Sequence, residues 1–159
     1  LSICINFVTM ETSNYTIKEI TATTAFEVRH PVLREGKPIE SCHFAGDDLP
    51  TTFHLGYYTN EQLVGVVTLM KNNHAEINRK HQYQLRGMAV LTNFQKRGIG
   101  DALVKKAEQM ILARGGMFIW MNAREIAVRF YEKLGYEKHG TPFTIPKIGL
   151  HFVMIKSLE

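Results

Sequence analysis

Two adjoining stretches, Leu85-Arg86-Gly87-Met88-Ala89-Val90 and Gln95-Lys96-Arg97-Gly98-Ile99-Gly100, decide how the chain is read. Tyr83 to Val90 reads as a strand. From Ile99 the spacing changes: Ala102, Leu103, Val104, Ala107, Met110 and Ile111 fall on one broad stripe at helical period, opposite Asp101, Lys105 and Glu108. That predicts an amphipathic helix of about four turns. Glycines at its start let the backbone approach a ligand, and the first turn offers N–H groups without partners and a partial positive charge. Gln95 to Gly100 therefore read as a phosphate cradle, with Lys96 and Arg97 adding charge; an ordinary glycine-containing turn is the alternative. A dinucleotide fingerprint fails, because Leu103 stands where its third glycine belongs, and no Lys-Ser or Lys-Thr follows to make a Walker A loop. No Gly-x-Ser-x-Gly occurs, which removes the commonest serine-hydrolase signature.

Outward from this stretch, Tyr15 to Ile20 predicts a strand and Ala22 to Leu33 a helix that Pro31 ends or kinks. Gly36 to Pro50 reads as a loop. Thr52 to Tyr58 and Leu63 to Met70, rich in β-branched and aromatic residues, form a hairpin about Thr59-Asn60-Glu61-Gln62. Downstream, Gly115-Gly116 stops the long helix, Met117 to Met121 is a short apolar strand, Arg124 to Leu134 returns to helical spacing before Gly135, and Phe152 to Lys156 is a last strand. An antiparallel meander followed by strand, helix, strand predicts a mixed α/β (α+β) domain with a parallel pair at its centre. Residues 1–14 read as an N-terminal extension and 15–159 as a single domain.

The 159 residues suffice for one packed core, and the 45% hydrophobic and 21% charged content is that of a globular chain. No apolar run approaches the roughly 20 residues of a membrane span, no signal peptide is legible, and two lone cysteines, Cys4 and Cys42, suit a reducing compartment. The expectation is a cytoplasmic protein. A net charge of +4 suits a polyanion or a phosphate-bearing cofactor, but the basic residues are scattered rather than gathered into a nucleic-acid face. Neither a nucleic-acid nor a membrane partner is expected, and a homodimer is open.

Leu85 to Val90 with Gln95-x-x-Gly98-x-Gly100 and the long helix resembles the acyl-coenzyme A motif of the GCN5-related N-acetyltransferases. Asn122 to Tyr136, with Phe130-Tyr131-Glu132-Lys133-Leu134-Gly135-Tyr136, is similar to the strand-helix motif that completes that family's cofactor cleft. The resemblance implies acetyl-coenzyme A as co-substrate, a small-molecule amine as acceptor, and a mostly antiparallel mixed sheet whose two central strands splay apart. It implies cofactor contacts at Met88, Ala89 and Val90, at Gln95, Lys96, Arg97, Gly98, Ile99 and Gly100, and at Asn122. Tyr131 matches the tyrosine that protonates the departing thiolate; a core tyrosine is the other reading. Relatives with an asparagine seven residues before that tyrosine have Arg124 as their counterpart here, with Asn122 two residues earlier. Where some relatives carry a glutamate base on the cofactor strand, this chain has Arg86. That departure leaves room for an acyl-coenzyme A sensor without catalysis.

Arg86, placed by strand alternation on the side of Met88 and Val90, either holds an acceptor carboxylate or pairs with a neighbouring acid. Asp47, Asp48 and His54 are read as lining the acceptor pocket, with His54 or water removing the amine proton. The group His43, Asp47, Asp48, His54 lacks the tight spacing of a metal site, and no metal is expected.

Overall fold

The computed structural model describes residues 14–159, so the extension read over residues 1–14 lies outside the described residues apart from Asn14. Strands β1 (Tyr15–Ile20), β2 (Phe53–Thr59), β3 (Gln62–Lys71) and β4 (Gln82–Val90) make an antiparallel meander, and β5 (Phe118–Arg124) joins β4 in parallel. The hairpin of β6 (Glu137–Ile145) and β7 (Gly149–Ser157) completes a seven-stranded mixed sheet in the order β1-β2-β3-β4-β5-β7-β6.

Helix α1 (Ala22–Leu33) starts where the Thr21 hydroxyl accepts the Thr24 amide at 3.1 Å and runs two residues past Pro31. It packs on one face of the sheet, where Ala25 and Val28 meet Val66 and Ala89. Helix α2 (Ile99–Ala113) covers the other face. Its apolar stripe, Ile99, Leu103, Val104, Ala107 and Ile111, is buried against Val67, Leu69 and Leu85, each side chain worth roughly 1.5–3 kcal/mol in transfer from water. Short helix α3 (Val128–Lys133) lies on that same side, with Val128 and Tyr131 in the same core.

Several element bounds differ from expectation. The segment read as helical from Arg124 begins instead as strand: β5 runs to Arg124 because β7 pairs with it as far as Arg124–His151, and a 3-10 turn at Glu125–Ala127 delays α3 to Val128. Strand β6 went unread. It is a largely exposed edge strand interrupted between His139 and Phe143, where Gly140 takes a φ of +71°, so it carries little apolar alternation.

Candidate active site

The parallel pairing of β4 with β5 covers only Gln82–Phe118, Tyr83–Ile119 and Gln84–Trp120. Beyond Gln84 the strands part, because β4 stays with β3 while β5 follows β7. The gap opens into a cavity of about 1050 Å³ bordered by β4, β5, the start of α2, α3 and the end of α1. A strand flank without a neighbour leaves backbone groups for a ligand.

A bulge in β4 sorts the side chains of this gap between the two faces of the sheet. Arg86 stands opposite Thr68 and Ala89 opposite Val66, so Gly87 and Met88 together face Val67. Gly87 takes a φ of +58°, which a residue with a Cβ tolerates poorly. Alternation therefore breaks. Leu85, Met88 and Val90 point to the α2 face, whereas Arg86 shares the α1 face with Thr68 and Ala89. The expectation that Arg86 lies beside Met88 and Val90 is corrected by that extra residue.

On the α2 face stand the groups suited to an acyl-coenzyme A. Lys96 and Gly98 adopt left-handed backbone, φ +61° and +79°, and Gly98 caps α2 without any side-chain hydrogen bond. Alternating backbone of this kind turns successive N–H groups into one concavity, at the positive end of a helix. A Cβ on Gly100 would stand 3.1 Å from the Phe130 ring, tighter than ordinary contact, so any side chain there must displace that ring where α2 starts beside α3. Gln95 donates to the Val90 carbonyl at 3.0 Å, which ties the loop to the strand end. Met88, Ala89, Val90, Gln95, Lys96, Gly98, Ile99 and Gly100 all line the cavity; Arg97 does not, and its guanidinium lies over Phe94. Asn122 lines it too, from the opposite face of the sheet, since it shares the β5 parity of Trp120.

Tyr131 is 6% exposed, packs edge-on against Phe130 and Tyr136, and borders the cavity. Its hydroxyl has no partner among the described residues, yet it is not enclosed, for Arg29 Nε is the sole enclosed side-chain polar atom lacking one among them. Burial pushes the phenol well above its ordinary pKa, keeping it protonated. The group is a proton donor at the edge of open space.

On the α1 face the cavity is cationic. Arg86 donates to the Ala45 carbonyl at 3.0 Å and lies over Phe44, 5.2 Å from the ring centre; Arg34, 5.0 Å from the same centre, flanks it. Neither guanidinium is paired with a carboxylate among the described residues. Burial lowers the pKa of Arg86, opposed by the charge of Asp47 and reinforced by those of Arg29 and Arg34. Arg124, Lys96 and Lys133 add to the lining, and Asp101 is its one carboxylate among the described residues.

The acids and histidine assigned to the acceptor pocket lie elsewhere. Asp47 is buried and accepts from Arg29 Nη1 and Nη2 at 2.6 and 3.1 Å and from the Phe44 amide at 2.8 Å. Burial alone would raise its pKa, but the Arg29 and Phe44 hydrogen bonds with the Arg29 charge outweigh this and leave it lowered. His54 has both ring nitrogens engaged, Nδ1 with the Thr68 hydroxyl at 2.7 Å and Nε2 with the Asp47 carbonyl at 3.0 Å. Thr68 in turn accepts from Arg29 at 2.6 Å. This closed network fastens the Gly36–Pro50 loop to the sheet, and neither Asp47 nor His54 borders the cavity. Asp48 is on the surface, 2.7 Å from His43 Nε2. His54 as base and the two aspartates as lining are thus corrected: their polar atoms are spent within the protein or turned to solvent.

Arg34, Phe44, Arg124 and His151 border the cavity without having been singled out as its lining. Arg34 and Phe44 arrive through long-range folding of α1 and its following loop, which no local pattern announces. His151 sits one residue before the strand read from Phe152.

The family model described as "Acetyltransferase (GNAT) family" matches residues 16–136. The uncharacterized N-acetyltransferase YitI of Bacillus subtilis (strain 168) is 34% identical over 143 residues, 90% of this chain and 96% of that one. Among solved structures, an aminoglycoside 6'-N-acetyltransferase complexed with coenzyme A superposes with a TM-score of 0.73 at 17% identity, over 91% of this chain and 97% of that chain. The ribosomal-protein-S18-alanine N-acetyltransferase of Escherichia coli gives 0.71 at 16% identity, over 91% and 94%. At such identities these two structures speak for the fold.

Proposed function

Since the chain belongs to the GNAT acetyltransferase family, and is thereby an N-acetyltransferase with acetyl-coenzyme A as co-substrate, we propose that its acceptor is a small amine bearing a carboxylate, such as an amino acid. The observation that carries this reading is Arg86, a guanidinium with no carboxylate partner at the α1-face side of the gap, flanked by Arg34 across Phe44. A planar guanidinium binds a carboxylate through two parallel hydrogen bonds, and an amine that arrives without negative charge meets a lining of cations.

In this reading the α2-face groups hold the co-substrate: the Gln95–Gly100 amides take its phosphates, and β4 near Met88 takes the pantetheine arm. Acetyl-coenzyme A supplies the activated thioester when bound. The acceptor enters from the α1 face, so that its nitrogen meets the thioester carbon in the gap between β4 and β5. Amide donors near Met88 steady the oxyanion, and Tyr131 gives its proton to the departing sulfur. Attack is direct, within a ternary complex, and positioning contributes much of the rate. A cytoplasmic setting belongs to the same reading, supported by Cys42, a buried free thiol.

A panel of amines, amino acids and their amides with acetyl-coenzyme A, read by free thiol release, tests this directly. Carboxylate-bearing acceptors should lead. Arg86→Gln should then raise their KM about 10- to 100-fold while changing that of the matching amides little. An equal effect on acid and amide, or a panel led by uncharged amines, would sink the carboxylate assignment.

A further inference from the structure

We propose that His151 is the general base that takes the proton from the acceptor amine, an assignment that rests on the β4–β5 gap being where transfer occurs. His151 stands on β7 opposite Arg124 of β5, on the α1 face where Arg86 also lies. It is 5% exposed, and its ring is stacked on Phe143 of β6 at 5.7 Å between centres with 28° between planes. The ring is therefore held in one orientation.

Its two nitrogens have different fates. Nδ1 lies 2.8 Å from the Gly149 carbonyl oxygen, which can only accept, so Nδ1 carries the hydrogen and the neutral ring keeps its lone pair on Nε2. Nε2 has no partner among the described residues and is not an enclosed atom, since Arg29 Nε alone is both enclosed and unpartnered there. His151 lines the cavity, and Nε2 is the ring nitrogen left free for a ligand there. A base oriented by a backbone carbonyl, with its other nitrogen unpartnered among the described residues and its residue lining a substrate-sized space, is suited to proton abstraction.

The rest of the lining offers no equal. Asp101 is at the start of α2, on the phosphate side, with Lys105 at 2.8 Å. Tyr131 is held protonated, and the other charged groups of the lining, Arg124 and Arg86 from the sheet, Arg34 from the end of α1, Lys133 from α3 and Lys96 before α2, are donors only. The proton count closes with His151 and Tyr131 alone. As the N–C bond forms, the amine proton passes to Nε2; as the C–S bond breaks, the Tyr131 proton passes to sulfur; both groups then exchange with solvent.

The test uses the whole chain, acetyl-coenzyme A and the best acceptor of the amine panel. His151→Asn can still donate to the Gly149 carbonyl but loses Nε2. It should keep the thermal shift given by coenzyme A and lose about 10²- to 10⁴-fold in kcat. Should His151→Asn unfold, His151→Gln carries the same test. A variant that keeps its coenzyme A shift together with the parent's kcat overturns His151 while leaving the site intact. A parent that shows no coenzyme A shift at all defeats the site assignment on which the proposal stands.

Discussion

Arg86 and Met88 point to opposite faces of β4 because Gly87 between them carries the bulge. A Cβ on Gly87 would stand 3.1 Å from Arg29 Nε and 3.2 Å from the Phe44 ring, and the φ of +58° penalises any side chain. Gly87→Val should therefore cost at least about 1–2 kcal/mol of unfolding free energy in urea, and raise the acceptor KM more than it weakens coenzyme A. Unaltered stability would mean that the bulge tolerates a side chain.

The two cradle glycines should fail for different reasons. A Cβ on Gly98 meets nothing within 4 Å, so Gly98→Ala bears only the cost of its left-handed backbone, about 1 kcal/mol. Gly100→Val drives into Phe130 and should separate the start of α2 from α3. Coenzyme A at 100 times its Kd adds about 2.7 kcal/mol to stability, seen as a rise in Tm; Gly100→Val should abolish that rise and Gly98→Ala reduce it. An undiminished rise in Gly100→Val would put the phosphates elsewhere.

Tyr131→Phe keeps the ring against Phe130 and Tyr136 and removes only the hydroxyl. With an acceptor for which chemistry limits the rate, kcat should fall roughly 10²- to 10⁴-fold with little change in coenzyme A affinity. Full activity would return Tyr131 to a packing role.

The Arg29–Asp47 pair is enclosed on both sides, so Asp47→Ala leaves a buried guanidinium without its carboxylate and should cost about 3–5 kcal/mol in chemical denaturation. The same network makes the fold acid-sensitive. Burial lowers the pKa of His54 from 6.5, and the Arg29 contacts, against burial, lower that of Asp47 from 3.8. In both cases the unfolded chain binds the proton more readily, so both contributions are complete above the unfolded pKa and fade as pH falls through the folded one. The Tm should decline first below about pH 6.5 through His54 and again below about pH 4 through Asp47. His54→Gln should flatten the first decline; an unchanged curve would remove His54 from the account.

Much of the fold was legible because it is written in local chemistry. The β4-to-α2 transition could be read from Gly98, Gly100 and the apolar stripe beginning at Ile99, since backbone freedom and helical period belong to consecutive residues. Edge strand β6 was not legible, because a strand exposed along most of its length has no apolar face to declare it.

The sequence by itself determined the family motifs, the glycine-bearing turn that opens α2, the α2 core face and the positions of Tyr131 and Arg86 along their elements. Tertiary structure alone decided which face each group serves. Gly87 reverses the parity of β4, so Arg86 turns away from Met88 toward Arg34 and Phe44, groups brought there by α1 and its following loop. It also decided that His54 and Asp47 satisfy one another through Arg29 and Thr68, whereas His151, remote from both in the chain, lines the cavity with only Nδ1 engaged among the described residues. A polar side chain performs chemistry only with the atoms that the fold leaves unpaired, and that pairing is settled by long-range contacts no local pattern encodes.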